Sequence, residues 1–165
     1  MKVDFFIVGA PKSGTTSLYN YLSQHHSISM SSIKEPNFFS AVDIDNQKLY
    51  YKTKLCSDLK NYHSLFNFES KSCLFGEASV SYLFYPDVAS RIFKYNKNAK
   101  IIIILRDPVK RAVSHFNMDK RLGFVSSSLE NILEDISLKN HLLFYQQYIH
   151  LGCYYSQVKR YIDIF

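Results

Sequence analysis

No long hydrophobic run exists in this sequence. The most apolar stretch, Ile101 to Leu105, falls far short of the roughly 20 residues that a membrane-spanning helix needs. No span is expected. The N-terminus passes from Met1-Lys2-Val3-Asp4 straight into a short apolar run ending at Gly9, with no basic n-region, full h-region or small-x-small cleavage site. A secretory signal is therefore not expected, and the cytoplasm is the expected location. Cysteine is scarce and odd in number: Cys56, Cys73 and Cys153 lie far apart, which suits a reducing compartment better than a disulfide framework and offers no metal cluster. RNP-like, zinc-finger and basic-helix patterns are also missing. Lys and Arg outnumber Asp and Glu by 20 to 14, a net charge of +6 that favours anionic ligands, but the cations are scattered and nucleic acid is not the expected partner. There is no internal repeat, low-complexity tract or long linker, so residues 1–165 read as a single domain. At 47% hydrophobic and 21% charged residues, it can bury a core without disulfides or metal. Most of the 13 Tyr and 13 Phe belong in that core.

What is present is an alternation of strand and helix signals. Val3 to Val8 reads as a buried strand ending at Gly9, and Gly14 to His25 as a helix with Leu18, Tyr21 and Leu22 on one face. A short strand is expected at Cys73 to Gly76. A firmer one is expected at Lys100 to Leu105, whose isoleucines suit a strand covered on both faces. Pro108 fits the first turn of a following helix with Val109, Ala112, Val113 and Phe116 as its apolar stripe. Further helices are expected around Leu129, Ile132, Leu133 and Ile136, capped by Ser128, and around Val158, Tyr161, Ile162 and Phe165. Residues 41–72 are polar, with two expected helices. The pattern predicts an α/β domain with a central, mainly parallel sheet flanked by helices, which binds ligands beyond the carboxyl ends of its strands. The loops after Val8 and Leu105 are the places to look.

The first of those loops is Gly9-Ala10-Pro11-Lys12-Ser13-Gly14-Thr15-Thr16. Its glycines have P-loop spacing, yet Thr15 stands where the nucleotide-binding lysine belongs, and Lys12 lies three residues earlier. Backbone N–H groups from Ser13 to Ser17 would converge on an anion at a helix N-terminus, and Lys12 could reach the bridging oxygen of a leaving group. After the later strand, Arg106 precedes Asp107, and a cation before an acid favours a second phosphate over a metal.

Pro11-Lys12-Ser13-Gly14-Thr15-Thr16-Ser17-Leu18 resembles the 5′-phosphosulfate loop of sulfotransferases that use 3′-phosphoadenosine 5′-phosphosulfate (PAPS). Arg106-Asp107-Pro108-Val109-Lys110-Arg111-Ala112-Val113-Ser114-His115-Phe116 is similar to their 3′-phosphate motif, with Arg106 and Ser114 at the phosphate-binding positions. Lys34-Glu35-Pro36-Asn37-Phe38-Phe39 resembles the acceptor-side segment of the carbohydrate-modifying branch, whose glutamate is the usual base. Gly76-Glu77-Ala78-Ser79-Val80-Ser81-Tyr82-Leu83 and Gly152-Cys153-Tyr154-Tyr155 resemble segments of the same branch. Ala78 stands where heparan-type enzymes carry lysine, which points away from a heparan acceptor.

The resemblance implies a P-loop-like three-layer fold and transfer of a sulfuryl group from PAPS to a hydroxyl or amine, with a carbohydrate as acceptor. Lys12 and Glu35 are implied as catalytic residues; Lys12, Ser13, Gly14, Thr15, Thr16, Ser17, Arg106 and Ser114 are implied to hold the donor, with no metal. Family members usually continue through another strand to a basic loop, so an incomplete domain with weak or absent activity on its own is expected. Two alternatives stand beside this: a magnesium-dependent P-loop kinase or NTPase, with Asp107 as the nearest metal ligand, and an inactive nucleotide-binding remnant. His25, His26 and His115 are rival bases to Glu35.

Overall fold

A computed structural model describes residues 1–47, 56–69, 74–138 and 142–165. They form two compact units, residues 1–105 with 155–165, and residues 106–154.

The first unit is built on four parallel strands, β1 (Phe5–Gly9), β2 (Ile28–Met30), β3 (Leu74–Ala78) and β4 (Lys100–Ile103), in the order β2-β3-β1-β4. Phe5-Phe6-Ile7-Val8-Gly9 is buried at all five positions because β1 has a neighbour on each side and both faces covered. The isoleucines of β4 are only half-buried. Contrary to the expectation of a fully covered strand, β4 lies at a sheet edge, pairing with β1. β2 has no clear sequence signal, since its three residues are too few to show alternation. β3 runs from Leu74, and Cys73 lies outside the described residues.

Helix α1 (Thr15–Ser23) follows β1. Leu18 and Leu22 are half-buried as expected, but Tyr21 points outward. Two short helices, α2 (Ala41–Gln47) and α3 (Leu59–His63), occupy the polar region, and α4 (Val88–Tyr95) precedes β4. The aromatics do pack a core. Phe39 sits edge-to-face on Phe6 (5.7 Å), Tyr82 (5.7 Å) and Tyr95 (5.3 Å), the geometry that ring quadrupoles favour. One strand position tolerates no side chain. A Cβ on Gly76 would come within 2.1 Å of the Phe5 ring in the neighbouring strand. Gly76→Ala is expected to destabilise the protein by about 1–3 kcal/mol, read as a lower urea midpoint.

The second unit contains α5 (Pro108–Arg121), α6 (Leu129–Ser137), α7 (Leu142–Phe144) and a π-helical turn at Tyr145–Ile149. Ser128 caps α6, accepting the Asn131 N–H at 3.2 Å. The buried face of α5 keeps only part of the expected apolar stripe, Phe116 and the half-buried Ala112. Val109 and Val113 are exposed, whereas Arg111, His115, Phe116 and Asp119 are buried. The reason lies in the π-turn, where Gln147 and Tyr148 turn their carbonyls to the Arg111 guanidinium, both at 2.7 Å, and Tyr148 donates to Asp119 at 2.7 Å. Buried backbone acceptors need donors, and the arginine supplies them.

The C-terminal helix α8 (Tyr154–Ile164) returns to the first unit. There Arg160 donates to the carbonyls of Leu83 (3.0 Å) and Phe84 (2.8 Å), and the Tyr161 hydroxyl donates to Tyr82 O at 2.9 Å. Its buried positions are Gln157 and Tyr161, while Ile162, expected on the apolar stripe, is exposed.

Candidate active site

The carboxyl ends of parallel strands share one edge of the sheet, so the segments that follow β1, β2 and β3 leave the sheet on the same side. The loop after β1 enters α1 through Gly14, whose φ of 93° is the left-handed conformation that favours glycine. Space is not the constraint there, because an added Cβ would meet nothing within 4 Å. Lys12 also has a left-handed φ, 64°, which a lysine adopts only under constraint. The first turn of α1 has neither a capping side chain nor an acidic residue. Its N–H groups have no intrahelical acceptors and carry the positive end of the helix dipole. Beside them the Ser13 Oγ is buried without a hydrogen-bond partner, an orphaned hydroxyl suited to a phosphate oxygen.

The segment after β2 holds the other two non-glycine residues with positive φ among the described residues, Glu35 (62°) and Asn37 (52°). A residue before proline is ordinarily extended. Glu35 departs from that rule because its N–H donates to Ala78 O at the end of β3 (2.8 Å) and its carbonyl accepts from Asn37 Nδ2 (2.9 Å). Its half-exposed carboxylate is ion-paired through Oε1 with Lys34. Three strained positions in two short segments mark where the fold holds backbone against its preference, a pattern characteristic of functional sites.

Beneath Glu35 lies a buried polar cluster that sequence reasoning missed. The Glu77 carboxylate on β3 is fully buried and accepts from Ser79 Oγ and the Tyr62 hydroxyl, both at 2.6 Å. Loss of solvent pushes its pKa up to about 7, against the opposing effect of the hydroxyl donors Ser79, Tyr62 and Tyr82. Ser79 Oγ accepts the Asn37 N–H at 3.1 Å, and the Tyr82 hydroxyl accepts the Phe39 N–H at 3.3 Å. Ser81 donates to Asn37 Oδ1 at 2.6 Å. The available signal was an acid inside the run Leu74-Phe75-Gly76-Glu77-Ala78, where a strand buried on both faces should have none.

Of the rival bases, His25 and His26 are exposed and stacked on each other at 4.7 Å, and His115 is buried. In the second unit, Arg106 is exposed and Ser114 half-buried on α5. Asp107 caps that helix, its Oδ1 accepting the Lys110 N–H at 2.8 Å. No cluster of three or more His, Cys, Asp or Glu side chains positioned for a metal occurs among the described residues. No helix among them is long and apolar enough to cross a membrane.

The chain is similar to known proteins in fold and in sequence. A crystal structure of a sulfotransferase from Alicyclobacillus acidocaldarius superimposes with a TM-score of 0.84 at 37% identity, over 100% of this chain and 70% of that one. The membrane-associated sulfotransferase kil1 of Dictyostelium discoideum is 36% identical over 114 residues, covering 69% of this chain and 22% of its own length. The bifunctional heparan sulfate N-deacetylase/N-sulfotransferase 1 of Caenorhabditis elegans is 29% identical over 166 residues, covering 98% of this chain and 18% of its own length. The chain thus spans about a fifth of these two relatives. The sulfotransferase domain profile matches residues 2–165, essentially the whole sequence, and the chain belongs to the sulfotransferase family.

Proposed function

We propose that this domain transfers a sulfuryl group from PAPS to a hydroxyl or amine of a carbohydrate. The observation that carries the reading is the orphaned, buried Ser13 hydroxyl beside a strained Lys12 and an uncapped helix N-terminus. The orphaned hydroxyl and the uncapped helix start are costly without an anion and favourable with one. When bound, PAPS supplies the sulfuryl group and a phosphate as its leaving group.

Lys12, Ser13, Gly14, Thr15, Thr16 and Ser17 are assigned to the 5′-phosphate side, through one ammonium, hydroxyl groups and the first-turn amides. Lys12 offsets the charge that builds on the departing oxygen. Glu35 takes the proton from the acceptor as its oxygen or nitrogen bonds to sulfur. Lys34 holds Oε1 of that carboxylate, which leaves Oε2 for the incoming proton. Arg106 and Ser114 are assigned to the 3′-phosphate on their motif alone. A carbohydrate acceptor is supported by the names of the relatives, which include heparan sulfate and carbohydrate sulfotransferases.

In the kinase alternative Asp107 would have to serve a metal in addition to the helix cap that its Oδ1 provides. Titration with adenosine 3′,5′-bisphosphate and with ATP, each with and without EDTA, separates the two readings. Preferential, EDTA-insensitive binding of the bisphosphate is the expected result, with radiolabelled sulfate transfer to glycans as the companion assay. Preference for ATP with magnesium would overturn the assignment.

A further inference from the structure

Glu77 has no route to a substrate, because it is fully buried. Its effect must be exerted through its neighbours. A carboxylate only accepts, so when Glu77 is ionised the hydrogens of Ser79 and Tyr62 must both point at it. That orientation fixes the Ser79 hydroxyl: its hydrogen is committed to Glu77 and its lone pairs face the Asn37 N–H, which they accept at 3.1 Å. Asn37 in turn donates from Nδ2 to Glu35 O. Both residues stand at positive φ, which demands such external support.

We infer that Glu77 is a positioning residue, which acts through Ser79 to hold the Asn37 N–H and thereby the left-handed Glu35–Asn37 segment in place. Protonation of Glu77 turns one of its oxygens into a donor, and when that oxygen is Oε1, the one facing Ser79, the Ser79 contact must reverse or break and the support of Asn37 weakens. The groups that face the carboxylate are Tyr62 from α3, Tyr82 beyond β3, and, farther off, Tyr95 on α4, Tyr161 on α8 and Cys56. Burial raises the pKa of every one of them, so all stay neutral from pH 5 to 8. His63, packed against Tyr62 and Tyr95, is held below its ordinary value by desolvation. Glu77 is the carboxylate of this cluster, with its pKa pushed up to about 7.

The catalytic consequence rests on the reading of Glu35 as base, but the positioning can be measured without turnover. Hydrogen exchange at the Asn37 amide, corrected for intrinsic rate, is expected to lose protection by about tenfold as pH falls from 8 to 6, the equivalent of one hydrogen bond. Glu77→Gln is expected to be poorly protected at both pH values, and Ser79→Ala, a smaller change, likewise. Affinity for adenosine 3′,5′-bisphosphate should be unchanged in both. In turnover, the parent should show an acid limb near pH 7 that is absent from Glu77→Gln. Unaltered Asn37 protection in both variants would overturn the proposal. So would loss of protection spread evenly over β1, β3 and the Asn37 segment in both, which would make the cluster a general element of the core. Loss confined to the segment, with Glu35→Gln fully active, would keep the positioning role and remove Glu35 as base.

Discussion

Lys12→Ala is expected to lower sulfuryl transfer by about 10²- to 10³-fold, the usual cost of removing one donor to developing negative charge. It should also weaken binding of adenosine 3′,5′-bisphosphate, because a charge-assisted contact is lost. The position allows an unusually clean control. Lys12 has a φ of 64°, so alanine there retains the backbone strain while glycine relieves it. Lys12→Gly should therefore be more stable than Lys12→Ala and equally inactive. If the glycine variant regained activity, the backbone shape of the loop rather than the ammonium would be the catalytic element. Unchanged affinity and turnover in both would remove the lysine from the site altogether.

Glu35→Gln is expected to retain nucleotide affinity and to lose about 10²- to 10⁴-fold in turnover, since the amide keeps the shape of the side chain but no basic oxygen. The ion pair with Lys34 would be replaced by a neutral contact. The half-exposed position makes a large stability change unexpected. Turnover within a few-fold of the parent would point to a different base. A histidine is a poor candidate for that role here, because His115 is enclosed by Arg111 and Tyr148 and His25 pairs with His26.

The sequence was most legible where one local rule decides the structure. The P-loop-like spacing placed Lys12 and Gly14 correctly between a strand and a helix, because glycine spacing and strand-to-helix order are local properties. Ser128 as a cap and Pro108 as a first-turn residue followed for the same reason. Periodicity failed where burial depended on distant partners. Arg111 is inside because a π-turn more than thirty residues away presents two carbonyls, and no pattern within α5 encodes that. The isoleucines of β4 looked like those of a central strand because apolar content does not reveal sheet order. Glu35 was recognised by its motif, but its left-handed backbone and the Glu77–Ser79–Asn37 support beneath it arise from β3 and α3, which only the fold brings near.

The buried Glu77 also sets how the protein responds to acid. Folding raises its pKa from 4.5 to about 7, so the folded state holds this proton more tightly than the unfolded chain does. Its contribution to stability is complete below the unfolded value and disappears as pH rises through the folded one, a difference of about 3 kcal/mol across that window. A reservoir of stability thus lies on the acid side, and the ionised carboxylate that orders the Glu35 segment draws it down. Through this one group, mildly acidic buffer is expected to favour the folded state and mildly alkaline buffer the arrangement of the proposed base. Stabilising substitutions elsewhere in the core would offset that loss and extend the working range upward in pH without touching the site.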